Sequence, residues 1–113
     1  MTNHSDLDQT FQALADPTRR RVLERLGRGP ATVTELAKPF HMALPSFMQH
    51  LTVLERSHLV RSEKVGRIRT FHLLPQQVES AERWLKAQRD GWEKRLDQFD
   101  SYVKNLAEEE NRE

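Results

Sequence analysis

The chain has 113 residues, 36% of them hydrophobic and 31% charged, and its 18 lysines and arginines almost balance 17 aspartates and glutamates. This length predicts one domain, residues 1–113, with a small core and a largely solvated surface. Without cysteine, the chain has no disulfide, cysteine-bound zinc, iron–sulfur cluster or thiol switch. No apolar run reaches the ~18 residues of a membrane span, and residues 1–6 do not look like a secretory signal. We therefore expect a cytoplasmic protein without a membrane partner.

The charges are unevenly distributed along the chain. Residues 1–75 carry 11 Lys and Arg against 7 Asp and Glu, whereas residues 76–113 carry 7 against 10. A basic front and an acidic back indicate that only the front meets a polyanion.

The first half of the chain combines helical apolar spacing with helix-breaking residues. The spacing predicts a first helix over about 6–15 and a second over about 18–28, with Asp16 as N-cap and Pro17 in the first turn. A strand over 31–33 and a short helix over 35–39 follow, the helix capped by Thr34 and ended near Pro39. After a turn, a further helix covers residues 44–57.

The second half predicts a hairpin and a long helix. Residues 59–64 and 68–74 have the character of strands, and residues 65–67, which include Gly66, connect them. Pro75 ends the second strand, and residues 76–106 contain no proline and predict one helix. The order predicts a mainly α fold with a small β wing: a winged helix-turn-helix with its recognition helix at 44–57, wing at 59–74 and C-terminal helix at 76–106.

The predicted recognition helix has an outward face suited to DNA. Phe47, Leu51 and Leu54 cluster on one side of the helix, so Pro45 and Gln49 point outward. Glutamine can pair with adenine, serine can contact bases or phosphates, and apolar side chains can meet thymine methyl groups. The residues that flank the outward pair are Leu44, Ser46, Met48 and Thr52.

Basic residues occur at two further places. Lys64, Arg67 and Arg69 lie near the hairpin tip, where contacts to phosphates or the minor groove are expected. Residues 19–21 are successive arginines that would contact the DNA backbone or form a solvated face, with one of them turned inward or lying along the surface. An uncharged recognition-helix face also fits a winged helix that binds protein, and an adaptor therefore stays open as the alternative function.

The long helix carries an apolar stripe. Every seventh residue is apolar, from Val78 through Leu85, Trp92 and Phe99 to Leu106, and Ala81, Leu96 and Val103 widen the stripe. A large exposed apolar stripe is unusual in a monomer, so either a second copy covers it or its distal half folds back on its own core.

Two segments resemble the ArsR/SmtB-type bacterial repressors. Residues 14–26 (LADPTRRRVLERL) are similar to the family's opening, and residues 45–60 (PSFMQHLTVLERSHLV) are similar to its recognition helix and first wing strand. Gly66, Arg67, Arg69 and residues 71–73 match the wing, and the resemblance covers about residues 7–85. It implies a winged-helix homodimer that binds double-stranded DNA at a partly palindromic operator and represses transcription.

The resemblance also implies site residues. In such dimers the first and last helices form the interface, which here predicts Leu7, Phe11, Leu85, Trp92, Leu96, Phe99 and Val103. Together with the outward face and wing, the predicted DNA-binding residues are Leu44, Pro45, Ser46, Met48, Gln49, His50, Thr52, Lys64, Arg67 and Arg69. This chain departs from the family at Ala43, Leu44 and Met48, where polar residues are common, so its operator is expected to differ.

No metal site, cofactor or catalytic residue is predicted. The helix before the turn has no cysteine, the long helix has no histidine, and the chain's five histidines are scattered. Phosphate loops, HExxH and nucleophile-elbow motifs are missing from the sequence, so we predict no enzyme. The effector stays open: an apolar molecule near Trp84, Trp92 and Phe99, a partner protein, or none.

Overall fold

The computed structural model describes residues 4–112 and confirms the predicted fold class. Its elements, in chain order, are α1 (His4–Leu14), α2 (Pro17–Leu26), β1 (Ala31–Thr32), α3 (Val33–Ala37), α4 (Leu44–Arg56), β2 (Val60–Val65), β3 (Ile68–Leu73) and α5 (Gln76–Asn111). The chain divides into two compact units, Met1–Ala81 and Glu82–Glu113. Among the helices within residues 4–112, none has the length and apolar character to cross a membrane.

The first unit is built around one hydrophobic core. Side chains from α2, α3, α4 and all three strands meet there, and the largest fully buried ones include Phe47, Phe71, Leu36 and Leu51. Truncating such a side chain to alanine costs about 2–5 kcal/mol, because apolar contacts are lost and a cavity remains. This core fixes the position of α4, whose inner face supplies three of its members.

Helix α2 begins as the sequence predicts. Asp16 is the N-cap, with extended backbone angles, and its carboxylate accepts a hydrogen bond of 3.0 Å from the backbone N–H of Arg19. Pro17 follows in the first turn, where a missing N–H costs nothing. Gly29, just after the helix, has φ of +140°, a conformation that side chains with a Cβ rarely adopt.

The start of α3 differs from the prediction. Its N-cap is Thr32 rather than Thr34, and a reciprocal capping box joins Thr32 to Glu35. The Thr32 hydroxyl accepts from the Glu35 N–H at 3.2 Å, while the Glu35 carboxylate accepts from the Thr32 N–H at 3.3 Å. The cap lies two residues earlier because β1 ends at Thr32. Of the two threonines, Thr32 has a glutamate three residues later, whereas Thr34 has Ala37 there.

The sheet has the order β1-β3-β2 and is antiparallel throughout. Val65 pairs with Ile68, so the hairpin turn consists of Gly66 and Arg67 alone, one residue shorter than predicted. Gly66 has φ of +63°, which such a tight turn requires. The short β1 adds a third strand by pairing Ala31 with Phe71, an arrangement that no local sequence pattern indicates.

Helix α5 is longer than predicted and ends at Asn111. Its last turns contain alanine and glutamate, which are good helix formers, and no residue there breaks the helix. In the second unit, Lys86–Asp90 and Arg89–Glu93 are ion pairs one turn apart, at 2.7 and 3.9 Å. No described residue from 82 to 112 is buried, so this unit has no core of its own.

Candidate nucleic-acid interface

Helix α4 has a buried face and an exposed face. Phe47, Leu51 and Leu54 are each 1% exposed or less, as their spacing predicts. The ring of Phe47 lies 5.3 Å from that of Phe40, in the segment that joins α3 to α4. Because three anchors hold α4 in the core, its rotation about its own axis is fixed, and so is the set of side chains that faces solvent.

The exposed face of α4 carries most of the predicted base-contacting side chains. Pro45, Ser46, Gln49 and Thr52 are exposed, and Leu44 is 56% exposed. Within residues 4–112 the Gln49 amide has no hydrogen-bond partner, so its donor and acceptor groups remain available. These side chains form a neutral surface around the first two turns of α4.

Met48 and Thr52 make contacts within the protein with part of their side chains. Met48 is half-buried and packs against the core. The Thr52 hydroxyl donates to the Met48 carbonyl at 3.0 Å, a bond within the helix that leaves the hydroxyl oxygen free to accept. Both residues therefore present only part of their side chain to a ligand in front of α4.

His50 faces the junction of α1 and α2 instead of the exposed face. Its Nδ1 lies 3.2 Å from Nη1 of Arg19 and 3.7 Å from a carboxylate oxygen of Asp16, and its side chain is 23% exposed. In the neutral ring, Nδ1 can accept the Arg19 hydrogen bond. His50 thus connects the recognition helix to the start of α2.

Asp16 is the acidic member of this cluster. Partial burial raises its pKa, but the Arg19 N–H hydrogen bond and electrostatic interactions with His50, when its ring is protonated, and with Arg19 outweigh that effect. The Thr18 N–H also contributes, and the pKa of Asp16 lies below its ordinary 3.8. Asp16 is therefore ionised at neutral pH, both as a helix cap and as a counter-charge.

The wing presents two of its three predicted basic residues to solvent. Lys64 and Arg67 are exposed at the hairpin tip. Val65 and Ile68 flank the turn and are also exposed, at 76% and 60%. A long, flexible cation beside aliphatic groups can reach a phosphate or enter a minor groove.

Arg69, the third, is bound within the protein. It donates to the Ser62 hydroxyl at 2.9 Å, and that hydroxyl donates to a Glu55 carboxylate oxygen at 2.7 Å. The chain of bonds runs from β3 through β2 to the last turns of α4. The Ser62–Glu55 bond joins the wing to the recognition helix, and Arg69 supports it from the neighbouring strand, a role that sequence reasoning missed because no local pattern links these residues.

The three successive arginines of α2 contact other parts of the first unit, although Arg20 and Arg21 are exposed. Arg19 donates to the carbonyls of Ala13 and Gln12 at 2.8 and 2.9 Å, and Arg20 donates to that of Leu14 at 2.7 Å. They bind carbonyls of the last turn of α1, where few backbone N–H groups are available; the Gln12 carbonyl also accepts from the Ala15 N–H at 3.2 Å. Arg21 stacks its guanidinium 4.6 Å from the centre of the Phe40 ring.

The predicted dimer residues fall into two groups. On α1, Leu7 is only 8% exposed and belongs mostly to its own protomer, while Phe11 is half-buried. The α5 residues are far more accessible. Their exposed fractions lie between 45% and 62% for Leu85, Trp92, Leu96, Phe99 and Val103.

No group of three or more potential metal ligands comes together within residues 4–112. Of the histidines in that range, His72 lies 3.0 Å from a Glu63 carboxylate oxygen and His50 lies 3.7 Å from one of Asp16. His4 lies at the start of α1, where its side chain is outside the described part of the structure.

A helix-turn-helix followed by a β hairpin defines the winged helix-turn-helix class of DNA-binding domains. A family described as "Helix-turn-helix domain" matches residues 14–63. A solved ArsR family transcriptional regulator has 54% sequence identity and a TM-score of 0.79, with 81% of this chain and 95% of that one covered. An ArsR-like transcriptional regulator from Rhodococcus sp. RHA1 has 31% identity and a TM-score of 0.71, with coverages of 82% and 88%.

A curated relative, the HTH-type transcriptional regulator Rv2034 of Mycobacterium tuberculosis, is 41% identical over 75 residues, which are 66% of this chain and 70% of that protein. The transcriptional repressor SdpR of Bacillus subtilis is 27% identical over 79 residues, 70% of this chain and 88% of the repressor. The chain belongs to the ArsR family of helix-turn-helix transcriptional regulators. The predicted family is confirmed, and a protein adaptor is not favoured.

Proposed function

We propose that this regulator binds double-stranded DNA sequence-specifically as a homodimer and represses transcription from a partly palindromic operator. The observation that carries the proposal is the exposed neutral face of α4, held in one orientation by three buried anchors. A second helix presented in this way by a helix-turn-helix fits the major groove, with its N-terminal residues at the base edges.

The proposed contacts divide into base and backbone contacts. Gln49 is the principal base-reading residue, because its amide is exposed and can form two hydrogen bonds to adenine. Leu44, Pro45 and Met48 supply apolar contacts to thymine methyl groups, and Ser46 and Thr52 accept or donate beside them. Lys64 and Arg67 bind phosphates or enter the minor groove, while His50 and Arg69 hold the reading surface in place.

The homodimer is proposed from the apolar face of α5. Trp92, Leu96, Phe99 and Val103 are all exposed in the single chain, on one stripe of the helix. Burying this stripe against a second copy removes it from water, at about 25 cal/mol for each Å² of apolar surface. Two copies would also place two recognition helices on two half-sites, which requires a partly palindromic operator.

We propose that residues 1–113 act as one DNA-binding domain in the cytoplasm, with no metal, no cofactor and no catalytic residue.

The test is selection of genomic DNA fragments by the purified protein at physiological salt. We expect enriched fragments that share two related half-sites, and an affinity that falls steeply as salt rises, because bound lysines and arginines release counterions. Gln49→Ala should lose the preference at one base position per half-site. If fragments are bound without any common sequence, or if none is bound, specific repression through α4 is excluded.

A further inference from the structure

A cleft of about 390 Å³ lies between α2 and α3, away from the exposed face of α4. Its size falls within the range of small-molecule pockets, which is roughly 300–1,000 Å³. The residues around it are Arg21, Val22, Glu24, Arg25, Arg28, Glu35, Leu36, Pro39 and Phe40. Apart from Arg21, one of the successive arginines that would contact the DNA backbone, none of them belongs to the predicted DNA-binding or dimer residues.

Three guanidinium groups line this cleft. Arg21, Arg25 and Arg28 lie four and three residues apart, so they share one face of α2 and its C-terminal end. Arg21 stacks on Phe40, and within residues 4–112 no acceptor takes its N–H groups. The Arg28 guanidinium likewise has no partner in the described part of the chain. The cleft thus contains planar cationic groups, those of Arg21 and Arg28, whose N–H donors have no acceptor in the described part of the chain and match the geometry of a carboxylate.

The third guanidinium, that of Arg25, has two acceptors in the protein. It donates to the Gly29 carbonyl at 3.1 Å and to a Glu35 carboxylate oxygen at 3.5 Å. The side chains of this pair are 31% and 56% exposed, and such solvated ion pairs contribute little. An incoming anion can therefore take the place of Glu35 at Arg25 at small cost.

One edge of the cleft is apolar. It is formed by Pro39, which is exposed, and Phe40, which is half-buried, while Val22 and Leu36 lie fully buried beneath the cleft. A bare inorganic anion would leave this edge in contact with water, whereas a flat hydrophobic group would cover it and gain from burial. Cationic donors beside an apolar edge match a ligand with a carboxylate at one end and a planar apolar body at the other.

We propose that this cleft is the binding site of a small aromatic carboxylate. Its carboxylate pairs with Arg25 and Arg28, and its ring lies against the apolar edge formed by Pro39 and Phe40. Glu35, displaced from Arg25, also forms the capping box with Thr32 at the start of α3. The cap uses Oε1 of Glu35 and the contact to Arg25 uses Oε2, so ligand binding acts on the side chain that caps the first helix of the helix-turn-helix.

The regulatory consequence rests on the proposed DNA-binding function. If the ligand changes the position of α3, it changes the operator affinity of α4, which follows α3 in the chain. By linkage, operator DNA must then change the affinity for the carboxylate by the same factor. The proposed effector site therefore lies in the first unit, which contains the recognition helix, and not near the α5 aromatic residues that the sequence suggested.

The binding test uses benzoate with the full chain, measured by calorimetry, and benzamide as a neutral molecule of nearly the same shape. We expect benzoate to bind with a dissociation constant of about 1 mM, as suits about nine non-hydrogen atoms, and benzamide to bind at least ~10-fold more weakly. Arg28→Gln should weaken benzoate binding ~10-fold, whereas Arg95→Gln, which removes the same charge from an exposed residue of α5, should not change it.

Equal affinities for benzoate and benzamide, or no benzoate binding at ~50 mM, would overturn the proposed site. Inorganic phosphate binding as tightly as benzoate would overturn the aromatic class of ligand. If Arg28→Gln weakens DNA binding while benzoate has no effect on either protein, the arginines contact DNA and the ligand proposal is wrong. Benzoate binding is measured without DNA, so it stands or fails independently of the operator experiment.

Discussion

The Nη1 atom of Arg19 lies 3.2 Å from Nδ1 of His50, and this contact joins the first turn of α2 to the middle of the recognition helix. The same guanidinium also binds the last carbonyls of α1. One side chain thus connects three helices, and it lies behind the exposed face that carries Gln49. The orientation of the reading surface depends on residues that would not touch DNA.

The first prediction concerns that connection. Arg19→Ala removes three hydrogen bonds from a charged donor and should lower the free energy of unfolding by about 1–3 kcal/mol. Arg20→Ala, which removes a single exposed bond to Leu14, should cost clearly less. Chemical denaturation of both variants measures the difference. Equal losses would show that the contacts of Arg19 to His50 and α1 do not stabilise the fold.

The second prediction concerns base reading by Gln49. Gln49→Ala should weaken operator binding by about 1–3 kcal/mol and relax the preference at one base position, because the two hydrogen bonds to adenine are lost. Gln98→Ala, an exposed glutamine of α5, is the matched control and should leave binding unchanged. Titration of labelled operator DNA and of single-base variants gives both quantities. An unaltered base preference would exclude Gln49 as a reading residue.

The third prediction concerns the wing tip. Lys64→Ala should weaken binding similarly for all sequences and reduce the slope of log affinity against log salt by about 0.9, the value for one phosphate contact. Lys104→Ala removes a lysine from the second unit and should leave the slope as it is. Binding titrations between low and physiological salt decide the matter. A slope unaffected by Lys64→Ala would place the wing tip away from the backbone.

The fourth prediction concerns acid stability. The folded-state pKa of Asp16 lies below its ordinary 3.8, so its ionised form stabilises the fold. This contribution is present above pH 3.8 and is lost as the pH falls through the lower folded-state pKa. Asp16→Asn keeps an N-cap but cannot ionise.

The variant should therefore be less stable than the natural protein near pH 5, and the difference should shrink as the pH falls towards 2. Unfolding curves at a series of pH values measure it. A difference in unfolding free energy that stays constant over this range would contradict the proposed role of the Asp16 charge.

The fifth prediction concerns the dimer. Trp92→Asp places a charge in the proposed apolar interface and should raise the dimer dissociation constant by about 30-fold or more, as for a central interface residue. Glu93→Asp, a conservative change at the neighbouring exposed position, is the control. Sedimentation at several concentrations measures both. If the Trp92 variant, or a chain lacking residues 90–113, dimerises as tightly as the natural protein, the distal part of α5 does not form the interface.

The order of elements follows from the sequence for local reasons. Prolines and glycines at positions such as 17, 29 and 66 mark where helices and strands must begin or turn. Phe47, Leu51 and Leu54 are buried as their spacing predicts, since three or four residues return a helix to the same face. The same spacing made α5 predictable as one long helix with an apolar stripe.

What the sequence alone determined was therefore the fold class, the family and the outward face of α4, because each depends on residues close together in the chain. The tertiary structure decided which polar side chains support that face. Arg19 and His50 are 31 positions apart, Arg69 reaches Ser62 across two strands, and the choice of Thr32 over Thr34 as cap depends on where β1 ends. Such contacts exist only once packing has brought distant segments together, and no periodicity or motif in the sequence encodes them.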